Sequence, residues 1–219
     1  MDGVRSWFDY MSSRTDLIVE GLTQTLMYVV VVTVAAGITA VVVAVLTMRH
    51  AFAKELALAI SSVFLTIPSL ALFTIFIPLV GLGFTPSFIA LYLYAIMPIL
   101  RNTTTGLDSV DSSVLESAKG MGMTRGQVLT KIQLPLAWPV MLAGLRVSAL
   151  LTVGISAIAT LVAGGGLGDF IKSGLARLPL PNSLEAIWTG VLLSLALAFV
   201  IDSLLRGLGR VTTPRTKKA

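Results

Sequence analysis

Long segments without charged residues dominate the chain and predict helices that cross a membrane. Four such segments contain no Asp, Glu, Lys, Arg or His, and they run between Glu20 and Arg49, Glu55 and Arg101, Arg146 and Asp169, and Glu185 and Asp202. A spanning helix needs about 20 apolar residues. The second segment is long enough for two helices and is interrupted in its middle by Pro78, Gly81, Gly83 and Pro86. We therefore predict five helices, near residues 24–47, 56–79, 85–100, 138–163 and 184–204.

The composition leads to the same class of protein. The chain is 55% hydrophobic and only 12% charged, whereas soluble domains carry roughly 25% charged residues. We predict an all-α integral membrane protein with about five transmembrane helices and a single domain over residues 1–219. Because the chain contains no cysteine, it forms neither disulfides nor thiolate metal sites.

Basic residues mark one side of this predicted membrane protein, since Lys and Arg concentrate in cytoplasmic loops. If the N-terminus lies outside, the cytoplasmic segments are 48–55, 101–137 and 205–219, which carry most of the Lys and Arg residues. The opposite side has only Arg5, Arg14, Lys172 and Arg177. We therefore expect the N-terminus outside and the C-terminus in the cytoplasm. The basic tail, residues 205–219, is expected to anchor this orientation, with binding of anionic lipid as the alternative.

Residues 101–137, the polar loop, form the longest polar segment inside the chain. Two capping-box sequences, Ser113–Glu116 and Thr124–Gln127, predict the starts of two short helices. Gly120 and Gly122 permit a sharp turn between these helices, and Pro135 is expected to end the second one. The predicted helix–turn–helix lies at the membrane surface and presents small and apolar side chains to a partner. An ordinary surface loop with frayed helices is the alternative.

The same loop carries a spaced pattern that resembles the EAA loop of ABC-importer permeases. The pattern is Glu-x-Ala, three residues, Gly, nine residues and Ile-x-Leu-Pro, and it is filled by Glu116, Ala118, Gly122, Ile132, Leu134 and Pro135. Ser117 stands where that family usually has Ala, so a small residue is kept. Further segments are similar to the branch that imports osmoprotectants such as glycine betaine, choline and carnitine: Leu65–Ser69, Ile89–Arg101, Asp108–Ser112 and Val162–Asp169. Together they cover roughly residues 20–205.

This resemblance implies the type I (MetI-like) importer permease fold in a bacterial cytoplasmic (inner) membrane. It implies a second permease subunit, identical or paralogous, two cytoplasmic ATPases and an extracytoplasmic substrate-binding protein. In that family the loop docks on the ATPase and transmits its closure to the pore by alternating access. Glu116, Ser117 and the Ala118–Gly122 turn then lie at the docking surface. Ile132, Leu134 and Pro135 fix the return of the chain into the membrane.

ATP and Mg²⁺ are accordingly expected in the partner ATPase and not in this chain. The sequence contains no G-x-x-x-x-G-K-[ST] phosphate-binding loop, which an ATP-driven subunit needs. It also has no cluster with catalytic or metal-ligand spacing. We expect no enzymatic activity, no cofactor, no metal and no nucleic-acid partner for this chain.

Five residues inside the predicted helices are candidates for the transport pathway or its gate. Arg146 lies about 12 Å along the fourth helix, where it either reaches the interface or pairs with an acid or with loop carbonyls. Tyr92 and Tyr94 offer aromatic faces to a quaternary ammonium cation, with ordinary packing as the alternative. Pro68 and Pro98 are expected to kink their helices, either as gate elements or only to shape packing.

Other functions stay open at this point. A permease for methionine or another amino acid has the same number of spans. A secondary transporter or channel works without an ATPase and usually carries an internal repeat, and no clear repeat is visible in the sequence. A membrane scaffold that transports nothing is the third alternative.

Overall fold

The computed structural model describes residues 2–213, which are helical apart from short connections. In this range the helices are, in chain order, Asp2–Ser12 (α1), Thr15–Thr47 (α2), Ala51–Thr66 (α3), Ser69–Val80 (α4), Phe84–Asp108 (α5), Ser112–Gly120 (α6), Arg125–Val128 (α7), Leu134–Ala159 (α8), Gly168–Ala176 (α9) and Ser183–Thr212 (α10). A π-helical segment, Leu129–Gln133, joins α7 to α8, and a 3₁₀ turn, Thr160–Val162, follows α8. Of the predicted basic tail, Arg215, Lys217 and Lys218 lie outside the described residues.

Four helical stretches of the described chain are long and apolar enough to cross a membrane. They are α2, α5, the continuous run Arg125–Val162 and α10. The pair α3 and α4 meets the same test together, and it makes a fifth crossing if the pair counts as one span. The all-α architecture and the approximate number of spans are therefore confirmed.

The first span begins earlier than predicted, at Thr15 and not near residue 24. The prediction followed the charge-free run, but Asp16 and Glu20 lie on the same continuous helix. Charge limits how deep a residue sits in a membrane and does not end a helix. Deeper along α2, Ala36, Ala40 and Ala44 are fully buried, and this spacing of small residues lets neighbouring helices approach closely.

The prediction of one continuous helix at 56–79 is wrong, because α3 and α4 meet at an angle of 97°. Ile67 is extended (φ −73°, ψ 130°) and Pro68 precedes the first residue of α4. The residue before a proline is excluded from the helical region by its clash with the proline ring. The kink predicted at Pro68 is thus a complete break. Tyr94 of α5 donates a hydrogen bond to the Ile67 carbonyl that the break leaves free.

The chain turns between α4 and α5 at glycine and not at proline. Gly81 and Gly83 have φ values of +81° and +112°, which favour glycine because it lacks a Cβ. Pro78 lies inside α4, and Pro86 lies in the first turn of α5, where a proline is tolerated. The Gly83 amide donates to the Val162 carbonyl at 2.8 Å, so this turn lies beside the end of α8.

α5 and α8 form the centre of the bundle. Gly144 of α8 lies so close to α5 that a Cβ there would be 2.8 Å from the Pro98 carbonyl oxygen. Leu91, Ile99 and Leu100 of α5 are almost completely buried. α2 covers one side of this pair, while α3 and α4 bury only Ser61, Leu72 and Phe73. The bent pair is therefore the least covered part of the bundle.

Two short helices at the end of the bundle opposite the polar loop were not predicted. α1 is tied to α10 because Trp7 Nε1 donates to Thr189 Oγ1 at 3.0 Å. α9 lies against α10, where a Cβ on Gly174 would be 2.6 Å from the Ser183 carbonyl oxygen. Neither helix contains an uncharged run of spanning length, which was the only signal used to predict helices outside the loop.

Candidate functional site

The first helix of the polar loop is capped by a residue different from the one predicted. Asp111, and not Ser113, precedes the first turn of α6, and its Oδ1 accepts the Ser113 amide at 2.8 Å. The predicted capping box at Ser113–Glu116 is therefore wrong, although a helix is present. Asp and Ser have nearly equal preference for this position, so their order along the chain does not decide between them. The hydrogen bond from the Ser113 amide lowers the pKa of the Asp111 carboxyl.

The turn after α6 depends on Gly122, as predicted. Its φ is +81°, a backbone conformation that residues with a Cβ rarely adopt. The Gly122 amide donates to the Lys119 carbonyl at 2.9 Å, and the Met123 amide donates to the Ala118 carbonyl at 3.2 Å. These two bonds define a Schellman motif, which satisfies the last carbonyls of a helix. Gly120 is the last residue of α6, so the special conformation belongs to Gly122.

The second capping box is confirmed. Thr124 Oγ1 accepts the Gln127 amide at 3.4 Å, and Gln127 Oε1 accepts the Thr124 amide at 2.8 Å. These reciprocal bonds satisfy donors that the first turn of a helix leaves free. The start of α7 is thereby fixed only two residues after the Gly122 turn.

Pro135 does not end the second loop helix, contrary to the prediction. The chain continues through the π-helical segment directly into α8, with Pro135 in its first turn. The Leu134 amide donates to Leu129, five residues earlier, and this wider turn accommodates a proline that has no amide to donate. Loop and membrane helix are therefore one continuous helical rod over Arg125–Val162.

The residues of the spaced loop pattern differ in what they expose. Glu116, Ser117 and Gly122 are exposed, while Ala118 is only 1% exposed and packs against the chain itself. Nearby, the Met121 side chain is 74% exposed. Glu116, Ser117 and the Gly122 turn are therefore accessible from outside the chain, whereas Ala118 is not, and their role in docking a partner stays a prediction.

The three residues at the end of the spaced pattern lie where the rod enters the bundle. Ile132 and Leu134 are half-buried, and Pro135 is exposed. Ile132 belongs to the π-helical segment, and Leu134 begins α8. Their predicted role in the return of the chain into the membrane stays a prediction.

Arg146 pairs with an acid of the same chain, which was one of the two alternatives for it. Its Nε and Nη2 lie 2.9 Å and 2.6 Å from Oδ1 of Asp202 on α10. Arg206, one turn further along α10, contacts the other carboxylate oxygen. One carboxylate therefore bridges two guanidinium groups and joins α8 to α10. Sequence reasoning did not identify Asp202 as the partner of Arg146. The available signal was its position as the acidic residue that ends the last charge-free segment.

The other pathway candidates have packing partners in the bundle. The hydroxyls of Tyr92 and Thr39 are 2.7 Å apart, and Tyr94 bonds the carbonyl at the α3–α4 bend. Pro98 is buried inside α5, and its carbonyl accepts Asn102 Nδ2 at 2.8 Å. The Tyr92 contact joins α5 to α2, the Tyr94 contact joins α5 to the α3–α4 bend, and the Asn102 contact lies within α5 itself. A role for these residues in transport stays a prediction.

A ladder of stacked aromatic rings, not predicted from the sequence, runs along α5. The centroids of Tyr28 and Phe84 are 5.1 Å apart, and those of Phe84 and Phe88, and of Phe88 and Tyr92, are both 5.9 Å apart. Phe84, Phe88 and Tyr92 follow at four-residue spacing, which places them on one face of a helix. These rings therefore pack on one another along α5 and join α5 to α2 through Tyr28.

The glycine-rich segment after α8 packs against α2. Gln24 Oε1 accepts the Gly166 amide at 2.7 Å, and the Tyr28 hydroxyl donates to the Gly164 carbonyl at 2.7 Å. A Cβ on Gly164 would be 2.7 Å from the Ala159 carbonyl oxygen, and one on Gly168 would be 2.3 Å from the Ala157 carbonyl oxygen. Close backbone packing therefore requires glycine here.

A cavity of about 440 Å³ opens at this end of the bundle, beside the glycine-rich segment. Both acidic and basic side chains line it, among them Arg14, Glu20, Asp169 and Arg177. Burial raises the pKa of the Asp169 carboxyl; nearby Lys172 opposes this shift and Glu20 adds to it.

These features define a class: a multi-pass membrane protein with a helical bundle and a capped, helical polar loop that continues into a membrane helix. The chain belongs to the family of binding-protein-dependent transport system inner membrane components, whose model matches residues 33–213. The predicted resemblance to importer permeases is thereby confirmed.

Individual transport proteins are also similar to this chain in sequence or in structure. The choline transport system permease protein OpuBB of Bacillus subtilis (strain 168) is 45% identical over 149 residues, 68% of this chain and 67% of that protein. The carnitine transport permease protein OpuCD of Listeria monocytogenes (serotype 1/2a, strain 10403S) is 33% identical over 218 residues, 100% of this chain and 96% of that protein. A chain of the MetNI methionine ABC transporter in an inward-facing conformation matches with a TM-score of 0.79 at 24% identity, over 92% of this chain and 99% of that chain. The structural match confirms the predicted permease fold.

Proposed function

We propose that this chain is the membrane-spanning subunit of an ABC importer for quaternary ammonium osmoprotectants such as choline, carnitine and glycine betaine. The observation that carries the proposal is the similarity to a carnitine permease over the whole chain, at 33% identity. The similarity to a choline permease at 45% identity supports the same chemical class. The particular solute within this class is left to the uptake experiment below.

The mechanism proposed is alternating access driven by another subunit. A cytoplasmic ATPase docks on the exposed side of the Gly122 turn and moves it when ATP closes the ATPase dimer. The rod Arg125–Val162 carries this movement into the bundle without a break. ATP and Mg²⁺ bind in the ATPase, and this chain performs no chemical step itself.

Two further partners follow from this proposal. An extracytoplasmic substrate-binding protein docks at the end of the bundle that carries α1, α9 and the 440 Å³ cavity. A second permease subunit covers the bent pair, which leaves large apolar side chains exposed, among them Phe52, Ile60, Val63, Ile75 and Leu79. The N-terminus is outside and the C-terminus in the cytoplasm, as the basic residues favour.

Uptake by intact cells tests the proposal. Deletion of the gene in a strain without redundant importers is expected to abolish uptake of at least one labelled solute among choline, carnitine and glycine betaine. The unaltered gene restores uptake, while Gly122→Asp does not, although the variant protein still inserts in the membrane. Unchanged uptake of all three solutes in the deletion strain would refute the substrate class.

A methionine or amino-acid permease is the second candidate, because a methionine transporter has the same fold. Competition with unlabelled methionine in the same uptake assay distinguishes the two candidates. A secondary transporter or channel predicts uptake that persists when the ATPase is inactivated. A scaffold predicts that Gly122→Asp leaves all transport intact.

A further inference from the structure

A basic cavity lies between the polar loop and the C-terminal end of α2. Its volume is about 390 Å³. Three cationic side chains line it, and they come from three different places: Arg49 after α2, Lys119 on α6 and Arg125 on α7. Half-buried Leu115 and Met123 add an apolar part to the lining. The two arms of the Gly122 turn and the end of a spanning helix therefore share one cavity.

The three cations of this cavity have no acidic partner within the part of the chain that the structure describes. The ion pairs found there involve Lys54, Arg146 and Arg206 instead. All three side chains are exposed, so water and salt screen much of their mutual repulsion. A bound anion offsets the remaining positive charge, and arginine pairs with phosphate oxygens through two parallel N–H donors.

Gln133 is the second, independent observation. Its side chain lines the same cavity and is 9% exposed. No described residue forms a hydrogen bond with its amide group. The amide atoms of Gln133 are not among the fully buried, unpaired atoms of the described residues, so the amide is accessible from the cavity, and its two N–H donors are suited to an anionic oxygen.

We propose that this cavity binds a phosphate-bearing anion, which is either the headgroup of an anionic phospholipid or a free phosphate compound. The guanidinium groups of Arg49 and Arg125 and the Lys119 ammonium hold the phosphate oxygens, and the Gln133 amide donates from the inner wall. The apolar part of the lining contacts the carbon skeleton of the ligand. A bound anion then connects the end of α2 to both arms of the Gly122 turn and holds the polar loop in place. The proposal does not depend on which solute is transported.

The test uses the full-length protein, purified with any subunits that accompany it. Native mass spectrometry measures retention of phosphatidylglycerol against phosphatidylcholine from an equal mixture. Thermal unfolding measures binding of inorganic phosphate titrated against chloride at constant ionic strength, because a ligand of the folded state raises the unfolding midpoint. Arg49→Gln/Arg125→Gln removes two cavity charges. Lys131→Gln is the matched control, since Lys131 is an exposed cation of the same loop that does not line the cavity.

The wild type is expected to prefer phosphatidylglycerol or to be stabilised by phosphate, and the double variant to bind at least about tenfold more weakly. The control is expected to stay within about twofold of the wild type. Preference for phosphatidylglycerol alone identifies a lipid headgroup, and stabilisation by phosphate alone identifies a soluble anion. Should the double variant not fold, Lys119→Gln, an exposed position on α6, provides the same comparison. The proposal is overturned if the wild type binds neither probe, or if Lys131→Gln loses as much binding as the double variant. In either case these cations are better explained as contacts for an acidic protein surface.

Discussion

Replacing Gly122 by alanine is expected to weaken coupling between the polar loop and its ATPase partner. The φ of +81° places the residue in the left-handed region, which costs a residue with a Cβ roughly 1–2 kcal/mol. A Cβ at this position meets no atom within 4 Å, so no steric penalty adds to the backbone cost. A free energy of this size lowers the population of the observed turn by about 5–30-fold.

Substrate-stimulated ATP hydrolysis by the reconstituted complex measures this effect, together with the amount of ATPase that co-purifies. Gly122→Ala is expected to lower both, and Gly122→Asn to lower them less, because asparagine adopts the left-handed region more readily. Gly126→Ala is the matched control. Gly126 lies in the same loop, also has open space around its Cβ position and does not have a positive φ.

Two outcomes would refute this reasoning. Wild-type hydrolysis in Gly122→Ala would mean that the turn conformation does not matter for coupling. An equal loss in Gly126→Ala would mean that any change in the loop is harmful. Gly122→Asp and Gly122→Asn differ by one charge at almost the same shape. Comparing them therefore separates the effect of charge at the docking surface from the effect of the backbone conformation.

Thermal unfolding of the purified protein tests three contacts inside the bundle. Asp202→Asn leaves two guanidinium groups without their carboxylate and is expected to lower the free energy of unfolding by at least about 1–3 kcal/mol. Arg146→Met is expected to lower it less, because Arg206 still pairs with Asp202. Equal effects would contradict the bridging role of the carboxylate. Gly144→Ala places a Cβ 2.8 Å from an α5 carbonyl oxygen and is expected to destabilise by about 1–3 kcal/mol, whereas Gly154→Ala on the same helix, with open space around it, is not. Tyr94→Phe removes the donor to the carbonyl at the α3–α4 bend and is expected to cost about 1–3 kcal/mol; an unchanged midpoint would show that the hydrogen bond contributes nothing.

The spans were predictable because a membrane acts as a solvent that excludes charge, and that exclusion is written directly into the sequence. The ends of the helices were not predictable in this way. α2 continues outward past Glu20 to Thr15 because helix geometry tolerates charge. The short helices α1 and α9 depend on tertiary contacts with α10, such as that between Trp7 and Thr189, and a charge-free run does not reveal them.

Within the polar loop, the local signals were predictive where one residue type alone meets the requirement. Gly122 is such a case, since a positive φ favours glycine, and the reciprocal bonds of Thr124 and Gln127 are another. The prediction was wrong where neighbours compete, as Asp111 and Ser113 do for the cap of α6. It was also wrong at Pro135. A proline usually ends a helix because it has no backbone amide to donate, but the π-helical turn before it lets the helix continue.

The continuity at Pro135 changes how a signal from the loop reaches the membrane. A helix that ended there would place a flexible joint between loop and bundle, and the joint would absorb any displacement of the loop. Under the proposed mechanism, the continuous helix is expected to carry a displacement from α7 to Gly144, where α8 lies against the backbone of α5. α5 in turn carries Tyr94, whose hydroxyl bonds the carbonyl at the bend between α3 and α4. Movement of the loop is therefore expected to reach the bend through rigid contacts and to be taken up there, since α3 and α4 are the least covered helices of the bundle.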